Sequence, residues 1–226
     1  MTRYEIINFL INKHFDVNCN YLEIGVCVPD NCFNRIQSNN KAGVDPGISN
    51  PENPVEFKMT SDEFFSKLEN GETRFAKDHK WDVIFIDGLH TAHQTYVDAL
   101  NSMNHISENG YVVLHDCSPT AWWTAHSDFE WYYNEKESPS TNNLLKDPMF
   151  WELSGTCWKA MYYLRTYLNH KIVTVNTDYG VGVISMNKPN NDIIEHTNTF
   201  FDFGEMRKNR KKNLGLISVQ EFIDTH

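Results

Sequence analysis

Two short apolar runs in this chain stop on side chains that can do chemistry. WDVIFIDGLH, residues 81–90, ends its apolar stretch on Asp87 and His90, and GYVVLHDC, residues 110–117, ends its own on His115 and Asp116. Carboxylates suit a hard divalent cation, since Mg²⁺ is typically held by one or two of them plus waters, and an imidazole such as His115 tilts the choice toward Mn²⁺. The expected metal ligands are therefore Asp87, His115 and Asp116. An imidazole beside such a cation can accept a proton at neutral pH, and His90, three residues past an acid, is the candidate general base. The competing reading of His90 is a satisfied histidine at a helix start. His79, His93, His105 and His126 carry no comparable signal.

These four groups meet only if the two runs are neighbouring parallel strands. Short β-branched runs bounded by polar residues read as strands buried on both faces, and residues 91–109 are long enough for one crossover helix between them. Their C-terminal ends then lie side by side, at the edge where open α/β sheets bind ligands. Upstream, residues 21–26 read as a strand ending on Gly25, where the missing side chain lets backbone approach a ligand, followed by a helical stretch around Phe33 and Ile36. A second short strand, 41–45, ends on Asp45, the position at which such folds bind a ribose; the alternative is that Asp45-Pro46 simply opens a turn. Residues 55–59 read as a third strand. Thr60 or Ser61 then caps a helix, with Asp62 placed to face an adenine instead of merely decorating the first turn. Ser61, Asp62 and Asp87 thus join Gly25 and Asp45 as candidate cofactor-binding residues. Residues 4–15 read as an amphipathic helix with no evident chemistry, 171–177 and 182–186 as an edge hairpin, and the basic run 207–212 as a solvated helix face.

Composition bounds the function. A chain of 226 residues without a linker-like stretch reads as one domain, 1–226, and its net charge of −10 and pI near 5.4 exclude a nucleic-acid backbone as the main partner. No charged-then-apolar segment opens the chain and no apolar run reaches membrane-spanning length, so the expectation is a soluble, cytoplasmic protein, with a homo-oligomer compatible. Five cysteines without a CxxC read as buried thiols. An insertion at about 118–157, with Trp158 at its end, carries five of the six tryptophans and is placed to cover the site and stack on a small-molecule or glycan acceptor. A satellite core is the plainer reading of that segment. A dinucleotide dehydrogenase is disfavoured because the glycines of GxGxxG are missing after Gly25.

Taken together, Leu22-Glu23-Ile24-Gly25, Val44-Asp45-Pro46, the Phe85 to His90 motif, the Val113 to Cys117 motif and Trp158-Lys159 resemble class I S-adenosylmethionine-dependent methyltransferases. Within that class they are similar to the metal-dependent sugar and small-molecule O-methyltransferases. The resemblance implies an α/β, Rossmann-like, mostly parallel seven-stranded sheet with helices on both faces and the last strand antiparallel. It also implies S-adenosylmethionine as cofactor, Glu23 and Gly25 in the cofactor motif, Asp45 on the ribose, Asp87 and Asp116 on a divalent metal (Mg²⁺ or Mn²⁺), and His90 as base. The chain departs from some relatives in having His115-Asp116 where they have two adjacent acids. A cofactor-binding module without catalysis and a hydroxylase-like enzyme of the same fold are the alternatives.

Overall fold

The computed structural model describes residues 1–126, 153–189, 194 and 202–226. The chain enters through α1 (Arg3–His14) and β1 (Asn20–Ile24), then β2 (Asn40–Val44), α2 (Ser61–Asn70), β3 (Trp81–Ile86), α3 (Ala92–His105) and β4 (Ile106–Leu114). After the insertion come α4 (Cys157–Tyr167), β5 (Lys171–Val175), β6 (Val181–Ser185), α5 (Phe203–Lys208), α6 (Arg210–Leu214), β7 (Leu216–Ile217) and α7 (Val219–Thr225). The seven strands form one sheet in the order β2-β1-β3-β4-β6-β5-β7. β6 runs antiparallel to both of its neighbours and every other pairing is parallel. This is the expected Rossmann-like sheet with one late antiparallel strand.

Period-two alternation divides the apolar residues between the two faces. Leu22, Ile24, Ile84, Ile86, Val112 and Leu114 pack with Phe64 and Leu68 of α2, Ala99 of α3 and Met161 and Leu164 of α4. Tyr21, Val83, Phe85, Tyr111 and Val113 pack on the opposite face with Ile6, Ile7, Leu10 and Ile11 of α1 and Phe222 of α7. Both faces are covered, as a parallel sheet requires. Thr60 caps α2 by accepting the Glu63 amide, and Gly71 closes that helix in the left-handed region at φ 74°.

Three local expectations change. The stretch around Phe33 and Ile36 forms two single 3₁₀ turns, Pro29–Asn31 and Phe33–Arg35, in place of the expected helix. Residues 55–59 touch the sheet only through one parallel bridge, Val44 to Phe57, so β2 remains the edge strand on that side. The 171–186 hairpin is not the outer edge, since the two-residue β7 pairs alongside β5. Of the five thiols, Cys19, Cys32, Cys117 and Cys157 are buried and Cys27 is half-buried, and none is in a disulfide. No helix among the described residues is long and apolar enough to cross a membrane.

Glu23 is 2 % exposed beneath α1, where it accepts a 2.5 Å hydrogen bond from the Tyr21 hydroxyl. Burial pushes its pKa up from 4.5 to about 7, against the opposing effect of that hydrogen bond. A raised folded-state pKa means its contribution to stability is whole below pH 4.5 and lost as pH rises through about 7. Urea melts at pH 5 and pH 8 should therefore show Glu23→Gln gaining on the wild type at the higher pH, by up to roughly 3 kcal/mol. Parallel stability curves for the two proteins would refute this role for Glu23.

Candidate functional site

The hydrogen-bond ladder sets the position of the site. Ile24 pairs with Ile86, and Ile86 with Leu114, so the residues just beyond them, Gly25, Asp87 and His115, stand in a row. The ladder continues past the strand ends: the Asp87 amide donates to the Ile24 carbonyl at 2.8 Å and the His115 amide to the Ile86 carbonyl at 3.0 Å. Gly25, at φ 91°, lies so close to the next strand that an added Cβ would sit 2.1 Å from the Asp87 carbonyl oxygen. No other residue type fits there.

Asp87, His90 and Asp116 converge, each offering one ligand atom within 4.8 Å of the others. His90 Nε2 lies 3.3 Å from Asp87 Oδ1, while its Nδ1 lies 2.8 Å from the Leu153 carbonyl and 3.5 Å from Asp116 Oδ2. A carbonyl and an ionised carboxylate only accept, so Nδ1 donates to Leu153 and Nε2 donates to Asp87, the arrangement of the protonated ring. The chain just before α4 clamps this histidine: the Thr156 amide donates to the His90 carbonyl at 2.9 Å, and the Ala92 amide to the Thr156 hydroxyl at 2.7 Å. Burial alone would lower the pKa of His90, but the hydrogen bond to Asp87 and the charge of Asp116 raise it to about 9. Asp116 adopts φ 57°, is 2 % exposed, and among the described residues its Oδ1 is enclosed without a hydrogen-bond partner. An orphaned carboxylate oxygen of this kind, aimed where two further donors meet, fits a divalent cation.

His115 lies in the same cluster but outside that three-residue group. Its Nδ1 sits between Asp87 Oδ1 at 3.3 Å and Asp116 Oδ2 at 3.1 Å, so this nitrogen acts as a donor that spaces the two acids. Burial opposes its protonation, yet the charges of Asp116 and Asp87 hold its pKa well above the usual histidine range. Asp87 is likewise held far below the usual carboxylate range, because His115 and His90 outweigh the effect of burial.

Two residues that the sequence reading passed over complete the cluster. Arg3, on the opening helix, places Nε 3.7 Å from Asp87 Oδ2 and Nη1 3.3 Å from His115 Nε2. Asp178 accepts the Arg3 amide at 2.7 Å and approaches His115 Nε2 at 3.7 Å; burial would raise its pKa, but His115 and Arg3 bring it down to about 2. Asp178 and Tyr179 both have positive φ, the pair that makes a type I′ turn between β5 and β6. Because β5 runs parallel to β4, this turn falls at the site edge; the turn itself, though not its place beside β4, was a signal in the sequence. Arg3 offered none.

Beside the cluster, a cavity of about 300 Å³ opens between the ends of β1, β2 and β3 and the starts of α2 and α3. It is lined by Gly25, Asp45, Ser61, Asp62 and Asp87, all expected there. Glu23 is absent from its wall, since alternation turns that side chain to the α1 face. Asp45 does open a turn, its Oδ1 accepting the Gly47 amide at 2.7 Å, and it also faces the cavity. Gln94 and Asp98 of α3 are additions: Gln94 Nε2 donates to Asp62 at 3.1 Å and to Asp98 at 3.0 Å. Burial raises the pKa of Asp98 to about 6, with the hydrogen bonds from Ser61 and Gln94 opposing it. Among the described residues, the wall carries four aspartates and no lysine, arginine or histidine.

Residues 30–117 match a family described as a methyltransferase domain, a span that begins after Gly25 and contains Asp45, Asp87, His90, His115 and Asp116. The strand order, with one antiparallel strand inserted beside β4 in an otherwise parallel sheet covered by helices on both faces, is a Rossmann-like α/β fold. No curated protein matches its sequence. Among solved structures it is similar to MycE methyltransferase from the mycinamycin biosynthetic pathway, in complex with Mg, SAH and mycinamycin VI. That likeness has 15 % identity and a TM-score of 0.44 over 91 % of this chain and 53 % of that one, so this chain spans about half the length of MycE. It is also similar to a protein from Corynebacterium glutamicum, at 13 % identity and a TM-score of 0.45 over 84 % and 81 % of the two chains.

The close approach of β1 to β3 gives a direct test. Gly25→Ala should lower stability by roughly 2–4 kcal/mol, combining a left-handed backbone with overpacking against the Asp87 carbonyl. Chemical denaturation measures it, and a loss below about 1 kcal/mol would show that the strand ends can separate freely.

Proposed function

We propose that this chain is an S-adenosylmethionine-dependent O-methyltransferase acting on a hydroxyl of a sugar, glycoconjugate or other small molecule with the help of a divalent metal. The observation that carries the reading is the convergence of Asp87, His90 and the orphaned Asp116 Oδ1 beside an acidic cavity whose wall includes Asp87. A wall of aspartates repels a pyrophosphate but suits a cofactor whose sulfonium is positively charged. Within it, Asp45 would hold the ribose hydroxyls and Asp62 with Gln94 the adenine edge.

Asp87 and Asp116 would hold the cation, which supplies Lewis acidity that lowers the pKa of an acceptor hydroxyl. His90 Nε2, fixed in orientation by the Leu153 carbonyl, would take the hydroxyl proton as the oxygen–methyl bond forms and the methyl–sulfur bond breaks. The two carboxylates that now keep His90 protonated near neutral pH would then be committed elsewhere, which frees the ring to act as a base. His115, Arg3 and Asp178 hold Asp87 and Asp116 in place. Trp122 packs edge-on against Trp123 at 5.9 Å and is 53 % exposed, in keeping with an aromatic acceptor wall; Trp131 and Trp151 lie outside the described residues. Thiols outside any disulfide suit a reducing, cytoplasmic setting.

Calorimetry should show binding of S-adenosylmethionine and none of NAD, with Asp45→Ala weakening the former by about 1–3 kcal/mol. The reverse preference would sink the assignment. With hydroxylated acceptors, a chelator should abolish turnover, and Mg²⁺ or Mn²⁺ should restore it while cofactor binding persists throughout. His90→Ala should lower turnover by roughly 10²- to 10⁴-fold with little change in metal affinity. Full activity in chelator removes the metal from the reaction, and loss of metal binding in the His90 variant makes that residue a ligand instead of a base.

A further inference from the structure

Asp87 and Asp116 bring four carboxylate oxygens to the candidate cation site, and their neighbours treat the two oxygens of each acid differently. Asp87 Oδ1 lies 3.3 Å from both His90 Nε2 and His115 Nδ1, within the cluster. Asp87 Oδ2 instead faces the Arg3 guanidinium, whose Nε is 3.7 Å away. Asp116 repeats the pattern: Oδ2 lies 3.1 Å from His115 Nδ1, while Oδ1 is the oxygen left without a hydrogen-bond partner among the described residues.

Arg3 is held in this place from outside the site. Its backbone amide donates to Asp178 Oδ2 at 2.7 Å, its Nη1 lies 3.4 Å from both Asp178 oxygens, and the Thr177 hydroxyl donates to the Met1 carbonyl at 2.5 Å. The turn at Thr177 and Asp178 thus pins the first turn of α1 beside Asp87, while Ile6, Ile7, Leu10 and Ile11 anchor the rest of that helix in the core. The Arg3 side chain is only 20 % exposed, so its charge is weakly screened. A Ca²⁺ shared by both Asp87 oxygens would lie about 2.4 Å from Oδ2, and so no more than about 6 Å from Arg3 Nε. Repulsion at that range opposes binding through both oxygens.

We propose that Arg3 is a positioning residue that makes Asp87 a one-oxygen ligand and thereby selects Mg²⁺ over Ca²⁺. Mg²⁺ demands a near-ideal octahedron, met by single oxygens from one or two carboxylates with waters completing the shell. Ca²⁺ takes about six to eight oxygens and gains from a carboxylate that offers both of its own. With Oδ2 of Asp87 facing Arg3 and Oδ2 of Asp116 facing His115, neither acid offers that pair. The inference rests on the reading of Asp87 and Asp116 as cation ligands, and it goes further by assigning the discrimination to a residue that touches no cation.

The test reads cation binding without turnover. Mn²⁺ bound to the full chain is followed by electron paramagnetic resonance while Mg²⁺ or Ca²⁺ is titrated in to displace it at constant ionic strength, and circular dichroism checks the fold of each variant. The wild type should release Mn²⁺ at lower Mg²⁺ than Ca²⁺, and Asp116→Asn should abolish Mn²⁺ binding. Arg3→Met should move the ratio of Mg²⁺ to Ca²⁺ affinity toward Ca²⁺ by about tenfold, because ligand charge and number tune calcium affinity over a wider range than this. Arg3→Lys, which keeps the charge, should retain the wild-type ratio. If Arg3→Met fails to fold, Asp178→Asn, which loosens the anchor of the guanidinium, should move the ratio in the same direction by about threefold. An unchanged ratio in whichever of these two variants folds would overturn this role for Arg3 and leave the metal reading standing. The same holds for loss of all cation binding from folded Arg3→Met, for a lysine variant that behaves as the methionine one, and for a wild type that does not prefer Mg²⁺. No Mn²⁺ binding in the wild type, or binding that survives Asp116→Asn, would remove the metal reading and the inference together.

Discussion

The structure depends on the register of three adjacent parallel strands. Because Ile24, Ile86 and Leu114 are paired across β1, β3 and β4, the residues that follow them emerge at one level. A slip of one residue in any strand would send that strand's inward side chains to the opposite face and carry Asp87 or Asp116 out of reach. Register is held by burial on both faces, since neither core tolerates the exchange. The geometry of the candidate site is thus enforced by apolar packing some distance from any charged group.

Charge is handled differently on the two sides of Asp87. In the cluster, Asp87, Asp116 and Asp178 are interleaved with His90, His115 and Arg3, so each acid has a cationic or protonatable neighbour within 4 Å. In the cavity, Asp45, Asp62 and Asp98 have no cation beside them in the wall, and hydrogen bonds donated by Ser61 and Gln94 offset part of the cost of burying Asp98. Asp87 belongs to both environments. It is the residue through which occupation of the cavity would be felt by the cluster.

Much of this was legible in the chain. The apolar runs that became β1, β3 and β4 and the acids that end them identify both the sheet edge and the residues on it, because a buried strand must end where polar groups resume. Gly25 was readable for the same reason. What escaped depends on tertiary contacts that no local pattern encodes. Arg3 sits in an unremarkable first helical turn, and only the docking of α1 carries it over Asp87. Asp178 was visible as a turn residue, but its role follows from β6 being inserted between β4 and β5. Glu23 was placed with the cofactor by resemblance, whereas the side-chain alternation of β1 sends it to the other face. The basic run read as a solvated helix face has one member, Arg210, turned inward toward Pro119.

The contact between Arg3 and Asp178 joins residues 175 positions apart. A ribosome delivers the chain from the N-terminus, so α1 waits while the sheet is synthesised, and its arginine meets its acid only after the β5–β6 hairpin has emerged. Closing so long a loop costs entropy that local contacts cannot offset early in folding. The Arg3–Asp178 contact can therefore close only after the hairpin has emerged, and a chain truncated before it would present Asp87, His115 and Asp116 without the acid that anchors Arg3 and faces His115.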